Sequence, residues 1–79
     1  MTREDLVGCV EEALKSLGGH GTIVQVCEYV WKIHEDDLRR AGDLFFTWQY
    51  DISWAAQKLR DSGILHKAQV SPKGIWELR

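Results

Sequence analysis

The 79-residue chain has little cysteine, no long apolar run and almost no net charge, and each shortage excludes something. Cys9 and Cys27 are its only cysteines and neither belongs to a C-x-x-C pair. A zinc site needs four ligands at metal spacing, and His20, His34 and His66 are scattered, so no metal and no cofactor is expected. No apolar stretch approaches the ~18 residues of a membrane span, and Met1 opens onto Thr2-Arg3-Glu4-Asp5 where a secretory leader would be apolar. The expectation is a cytoplasmic protein without a membrane partner. In that reducing compartment a structural disulfide is not expected.

The formal net charge of −2 argues against an indiscriminate nucleic-acid binder, but it conceals an asymmetry. Residues 1–38 carry three basic side chains against eight acidic ones; residues 39–79 carry seven basic against four acidic. The basic second half leaves room for a local anionic footprint. Drift of solvated charge gives the same numbers.

What is present reads as one small domain over residues 1–79, since domains typically run about 100–150 residues and few chains this short divide. Apolar residues make up 44% and charged residues 28%, a globular composition. A domain of this size buries only ~60–65% of its unfolded surface, so a deep substrate cavity is hard to fit beside its core, and four tryptophans compensate for the small interior.

Thr2-Arg3-Glu4-Asp5 is a capping-box pattern that opens a first helix. Leu6, Val10, Ala13, Leu14 and Leu17 form its apolar stripe, Glu11 and Lys15 a pair on the other face, and Gly18-Gly19 its stop. A second capping box, Thr22 with Gln25, opens a second helix striped by Ile23, Val26, Cys27, Val30, Ile33, Leu38 and Ala41. Glu28–Lys32, Glu35–Arg39 and Asp36–Arg40 run acid before base at i,i+4 and favour helix as far as residue 40. Leu44-Phe45-Phe46 reads as a brief strand or an extended anchor. A third helix is predicted from about Trp48 to Ser62, capped by Thr47 or Asp51, with Ile52, Ala55, Ala56 and Leu59 inward and Gly63 ending it. Ile64–Val70 alternates as a strand, Ser71-Pro72-Lys73-Gly74 fits a type I turn, and Ile75–Leu78 returns as the second strand of a hairpin.

Three helices followed by a β-hairpin make an α+β layout that resembles a winged helix-turn-helix domain. The run Ile52-Ser53-Trp54-Ala55-Ala56-Gln57-Lys58-Leu59-Arg60-Asp61-Ser62-Gly63-Ile64-Leu65 carries the resemblance: a helix ending in Leu-x-x-x-Gly, then two aliphatic residues. With Gly74-Ile75-Trp76-Glu77-Leu78 it is similar to the N-terminal domain of Mrr-type restriction proteins and to small bacterial proteins. The similarity covers roughly residues 44–79. The link between helices two and three, read here as residues 42–47, is longer than a tight helix-turn-helix turn of ~3–4 residues. The nuclease domain of the Mrr-type proteins has no counterpart, so no restriction activity follows.

The resemblance implies binding of double-stranded DNA, in a regulatory or defence-associated role. The third helix would be the reader, through Gln49, Tyr50, Ser53, Trp54, Gln57 and Lys58. Arg60, Lys67 and Lys73 would meet phosphates, assisted by Arg39 and Arg40 at the end of helix two. Against this stands the absence of Arg from the first two turns of the reader, and the presence there of Asp51. Trp54 suits packing on Trp31 or Trp48, or a protein interface, better than a base contact. The alternative function is therefore a winged helix used for protein association or self-association through exposed aromatics.

Other features read as structural. Phe45, Phe46, Trp48 and Tyr50 are assigned to filling the core, and Trp76 to packing inward. Trp31 is either the edge of its stripe or part of an exposed patch with Tyr29. His34 is assigned to solvent. No Ser-His-Asp or Cys-His arrangement follows from the spacing, consecutive Glu35, Asp36 and Asp37 fan round a helix, and Gly18-Gly19-His20-Gly21 joins two helices where a phosphate loop would follow a strand. The chain is expected not to be an enzyme.

Overall fold

In the computed structural model, which describes residues Met1–Arg79, the elements run α1 (Asp5–Ser16), β1 (His20–Thr22), α2 (Ile23–Arg39), α3 (Leu44–Asp61) and β2 (Ile75–Glu77). The start of α2 is set by its predicted capping box. The Thr22 hydroxyl accepts from the Gln25 backbone N–H at 3.1 Å and the Gln25 side chain accepts from the Thr22 N–H at 2.9 Å. Replacing Thr22 by alanine leaves one of these helix N–H groups without its partner and is expected to cost ~1 kcal/mol, measured by urea denaturation. At α1 only half of the box forms. The Thr2 N–H donates to the Asp5 carboxylate at 2.8 Å, which holds the Asp5 pKa below its ordinary value, while no side chain caps the helix N–H groups.

Both predicted glycine stops work by the same geometry. Gly18 (φ +91°) follows α1 and Gly63 (φ +79°) follows α3, each in the left-handed region. The next N–H in each case reaches back to the helix, Gly19 to the Leu14 carbonyl at 2.7 Å and Ile64 to the Leu59 carbonyl at 2.9 Å. These are Schellman closures, and a side chain at Gly18 or Gly63 would strain them.

Sixteen buried residues form one core cluster. α1 contributes Leu6, Cys9, Val10, Ala13 and Leu14 and packs chiefly on α3, whose inward stripe is Leu44, Trp48, Asp51, Ile52, Ala55, Ala56 and Leu59. α2 closes the third side with Val26, Val30 and Leu38. No helix is long and apolar enough to cross a membrane.

Several expectations are corrected. Residues 44–46 are the first turn of α3, not a strand or extended anchor, because Leu44 and Trp48 are its inward residues one turn apart. The turn between α2 and α3 is therefore residues 40–43, not 42–47. Thr47 and Asp51 are both inside α3, where the Thr47 hydroxyl donates to the Asp51 carboxylate at 2.9 Å, and neither caps it. In α2 the backbone departs from helical angles at His34 (φ −116°, ψ 18°), and Ile23 and Ile33 are 44% and 51% exposed, so the predicted stripe narrows. Arg40 pairs with Asp37, not Asp36, and Glu28–Lys32 is not an ion pair, whereas Glu11–Lys15 and Glu35–Arg39 form at 3.2 and 2.8 Å.

The largest correction concerns the sheet. β2 does not return along residues 64–70 as a hairpin wing. It pairs antiparallel with β1, in the register His20↔Glu77, Gly21↔Trp76 and Thr22↔Ile75. Leu65 makes a single bridge to Leu78 on the other side, with His66 N–H donating to Glu77 O and Arg79 N–H to Ile64 O. Residues 67–71 turn back on themselves, Val70 and Ser71 both donating to the Lys67 carbonyl. The final turn is displaced by one residue from the predicted one, with Ile75 N–H bonding to Pro72 O. Trp76 is buried as expected.

Candidate nucleic-acid interface

The inward stripe of α3 leaves Phe46, Tyr50, Ser53, Gln57 and Asp61 on its outward side, all exposed and spaced three or four residues apart. The helix is 18 residues long, about 27 Å, and what surrounds that face changes along it.

Near the C-terminal end of α3, Gln57, Arg60, Asp61 and Lys67 line an open hollow of about 500 Å³. Arg60 also lines an adjoining concavity with Ser71 and Lys73. Arg60 is half-buried, and its Nε is shielded from solvent with no hydrogen-bond partner. The Gln57 amide donates to the Asp61 carboxylate at 3.0 Å. None of Arg60, Lys67, Lys73 and Arg79 takes part in an ion pair, whereas Lys15, Arg39 and Arg40 all do. From residue 58 to the last, five basic side chains stand against only Asp61 and Glu77.

The other predicted site residues lie elsewhere. Arg39 and Arg40 are at the opposite end of α3. Arg39 is bonded to Glu35 and sits over Trp31 and Phe45, 5.1 and 6.0 Å from their ring centres, while Arg40 is 3.5 Å from Asp37. Trp54 touches neither of the tryptophans proposed for it. Trp31 and Trp48 stack on each other, 5.9 Å apart and 9° from parallel, and Trp54 instead carries the Arg3 guanidinium at 3.9 Å and the Lys58 ammonium at 5.3 Å. Trp54 and Lys58 thus belong to the edge of α3 that faces the N-terminus, away from Arg60. Gln49 and Tyr50 line a third region, a groove of about 800 Å³ between α2 and α3 whose other walls include Ile23, Val24, Cys27, Glu28 and Trp31.

The aromatic cluster is only partly core. Trp48 is buried and Phe45 half-buried, but Phe46 and Tyr50 are each 83% exposed, because helical geometry turns them away from Leu44 and Trp48. Tyr29 and Trp31 are both half-buried and line one shallow concavity with Leu17, Gln25, Glu28 and Lys32. The Tyr29 hydroxyl donates to Glu12 of α1 at 3.3 Å. His34 is not a solvated residue: its Nε2 is shielded, 3.5 Å from Glu12 Oε1, and its Nδ1 is 3.9 Å from Asp37. Sequence spacing carried no sign of this contact, which depends on how α1 crosses α2.

Burial raises the pKa of both thiols. Cys27 rises above the ordinary value, and Cys9, pressed into the core with Glu12, Asp5 and Asp37 adding to the effect, is pushed up to about 11. The unfolded thiol ionises from 9.0, so the Cys9 contribution to stability is complete below that pH and is lost as pH rises to about 11. Urea midpoints at pH 8 and pH 10.5, compared between the native chain and Cys9→Ala, are expected to diverge at the higher pH, with the native chain losing more. No three His, Cys, Asp or Glu side chains converge closely enough to hold a metal ion.

No family model, no curated protein and no solved structure matches the chain.

Proposed function

We propose that this chain is a winged-helix DNA-binding domain whose contact surface is the C-terminal half of α3 and the loop after it: Ser53, Gln57, Arg60, Lys67 and Lys73. The observation that carries the proposal is that Arg60, Lys67 and Lys73, none of them in an ion pair, line two adjoining concavities beside an outward helix face that offers a serine and a carboxamide. Phosphates are attracted by cations that no carboxylate has neutralised, and base edges are read by amide and hydroxyl groups. The four-residue turn between α2 and α3 supports the fold reading, and so does the position of the C-terminal segment between β1 and Leu65.

The experiment is a titration with random-sequence duplex DNA at two salt concentrations. Phosphate contacts by Arg60, Lys67 and Lys73 give a log–log salt slope of about −2.7, so affinity is expected to fall about 40-fold between ~50 and ~200 mM salt. Chemical-shift changes are expected at residues 53–73. Absence of binding at low ionic strength, or binding indifferent to salt, overturns the proposal.

A further inference from the structure

The groove between α2 and α3 carries charge of one sign. Its walls come from residues 23–31 and 45–50, and the chain has no lysine or arginine between residues 16 and 31 or between residues 41 and 57. Glu28 is the only charged residue of the lining. It is exposed and in no ion pair, and Lys32, one turn on, lies outside the groove. Four aromatic rings share the lining: Trp31, Phe45, Trp48 and Tyr50. We propose that this groove binds a small lipophilic organic cation, with its charge beside Glu28 and its hydrocarbon body along the rings.

Size, exposure and charge select that chemistry. A volume of about 800 Å³ falls within the ~300–1,000 Å³ of small-molecule clefts. The apolar walls are open to a ligand, since Tyr50 is 83% and Val24 65% exposed. Charge sets the sign. A free carboxylate and electron-rich ring faces both attract a positive ligand, and no cation of the lining would offset the repulsion of an anion placed beside Glu28. The same aromatic cluster already holds one cation of the chain itself. The Arg39 guanidinium lies 5.1 Å from the Trp31 ring centre and 6.0 Å from that of Phe45. Arg39 does not line the groove, so Glu28 and Tyr50 are left to a ligand.

The site is independent of the DNA-binding reading, whose residues belong to the C-terminal half of α3 and the loop after it. Its test therefore uses no DNA. The probes are tetraphenylphosphonium and tetraphenylborate, two ions of nearly the same size and shape but opposite charge. Each is titrated into the native chain in sodium buffer and followed by the NMR shifts of residues 23–31 and 45–50. A unit charge about 6 Å from the Glu28 carboxylate in water changes affinity about threefold, in opposite directions for the two ions. The phosphonium is thus expected to bind in the groove about 10-fold more tightly than the borate. Glu28→Gln is expected to weaken the phosphonium about threefold and to strengthen the borate to the same extent. Tyr50→Ala, at an exposed position, is expected to keep the native circular dichroism and to weaken the phosphonium about threefold through loss of the ring face. Gln69→Glu, exposed and outside the groove, is expected to bind both ions like the native chain. Equal affinity of the two ions for the groove overturns the proposal, and so does a phosphonium affinity indifferent to Glu28→Gln. Absence of shifts at these residues up to ~5 mM phosphonium overturns it as well and leaves the groove to a protein surface.

Discussion

Replacing Leu59 by alanine is expected to remove about 2–5 kcal/mol of folding free energy. Leu59 is 1% exposed, belongs to the central cluster, and its carbonyl accepts the Ile64 and Leu65 N–H groups that close α3. The substitution leaves a cavity within the core cluster. A domain of this length has a total stability of roughly 4–12 kcal/mol, so the loss is a large fraction of the whole. Each kilocalorie lowers the melting temperature of so small a domain by about 4–8 °C. Urea and thermal unfolding of Leu59→Ala, compared with Ser53→Ala on the outward face, measures the contrast, and the latter is expected to change stability by no more than ~0.5 kcal/mol. Equal effects at the two positions would mean that α3 is rotated from the phase described, and both proposed surfaces would rotate with it.

The second large effect is expected on DNA affinity. The triple variant Arg60→Gln, Lys67→Glu, Lys73→Glu should bind random duplex DNA about 3,000-fold more weakly than the native chain at ~50 mM salt, because each lost phosphate contact forfeits a factor of about 15 relative to 1 M salt. Glutamine at position 60 keeps a polar side chain at a half-buried site and so limits disturbance of the fold. Arg39→Ala with Arg40→Ala removes two positive charges from the same molecule, but from side chains already paired with Glu35 and Asp37 at the far end of α3. That control is expected to bind within about twofold of the native chain. If the two variants lose affinity alike, the hollow beside α3 is not the site and only the overall charge matters. Lys58→Ala is a further discriminator. The Lys58 ammonium rests on Trp54 together with Arg3, away from Arg60, and its removal should leave DNA affinity within about twofold as well.

Much of the secondary structure was legible because it depends on neighbours in the chain. The Thr22–Gln25 capping box, the stops at Gly18 and Gly63, and each step of the Leu6–Leu14 stripe link residues no more than five positions apart. The misreading of Leu44-Phe45-Phe46 has an equally local cause. Three consecutive apolar residues have no period, and only the extension of the stripe from Leu44 through Trp48 to Ile52 shows a helix. The sheet was misread for a different reason. His20-Gly21-Thr22 is too short and too polar to register as a strand by itself, and its strand character comes from Ile75–Glu77, more than 50 positions away.

The candidate site divides in the same way. The surplus of basic residues after Arg39 was visible as a count, but a count does not separate Arg39 and Arg40, neutralised by their own helix, from Arg60, Lys67 and Lys73, which no carboxylate meets. Periodicity along α3 named the outward positions Ser53 and Gln57 correctly. It did not place Trp54, whose face is occupied by Arg3 from the other end of the chain.

Composition, capping patterns and helical period by themselves determined that this chain makes three amphipathic helices with a basic C-terminal half. Those properties arise from side chains acting within a turn or two, where distance along the chain and distance in space are nearly the same. Tertiary packing decided which strand β2 joins, which cations remain free, and which aromatics are left outside the core. Each of those outcomes depends on groups far apart in the sequence being brought within a few ångströms, and short-range pattern carries no record of such encounters.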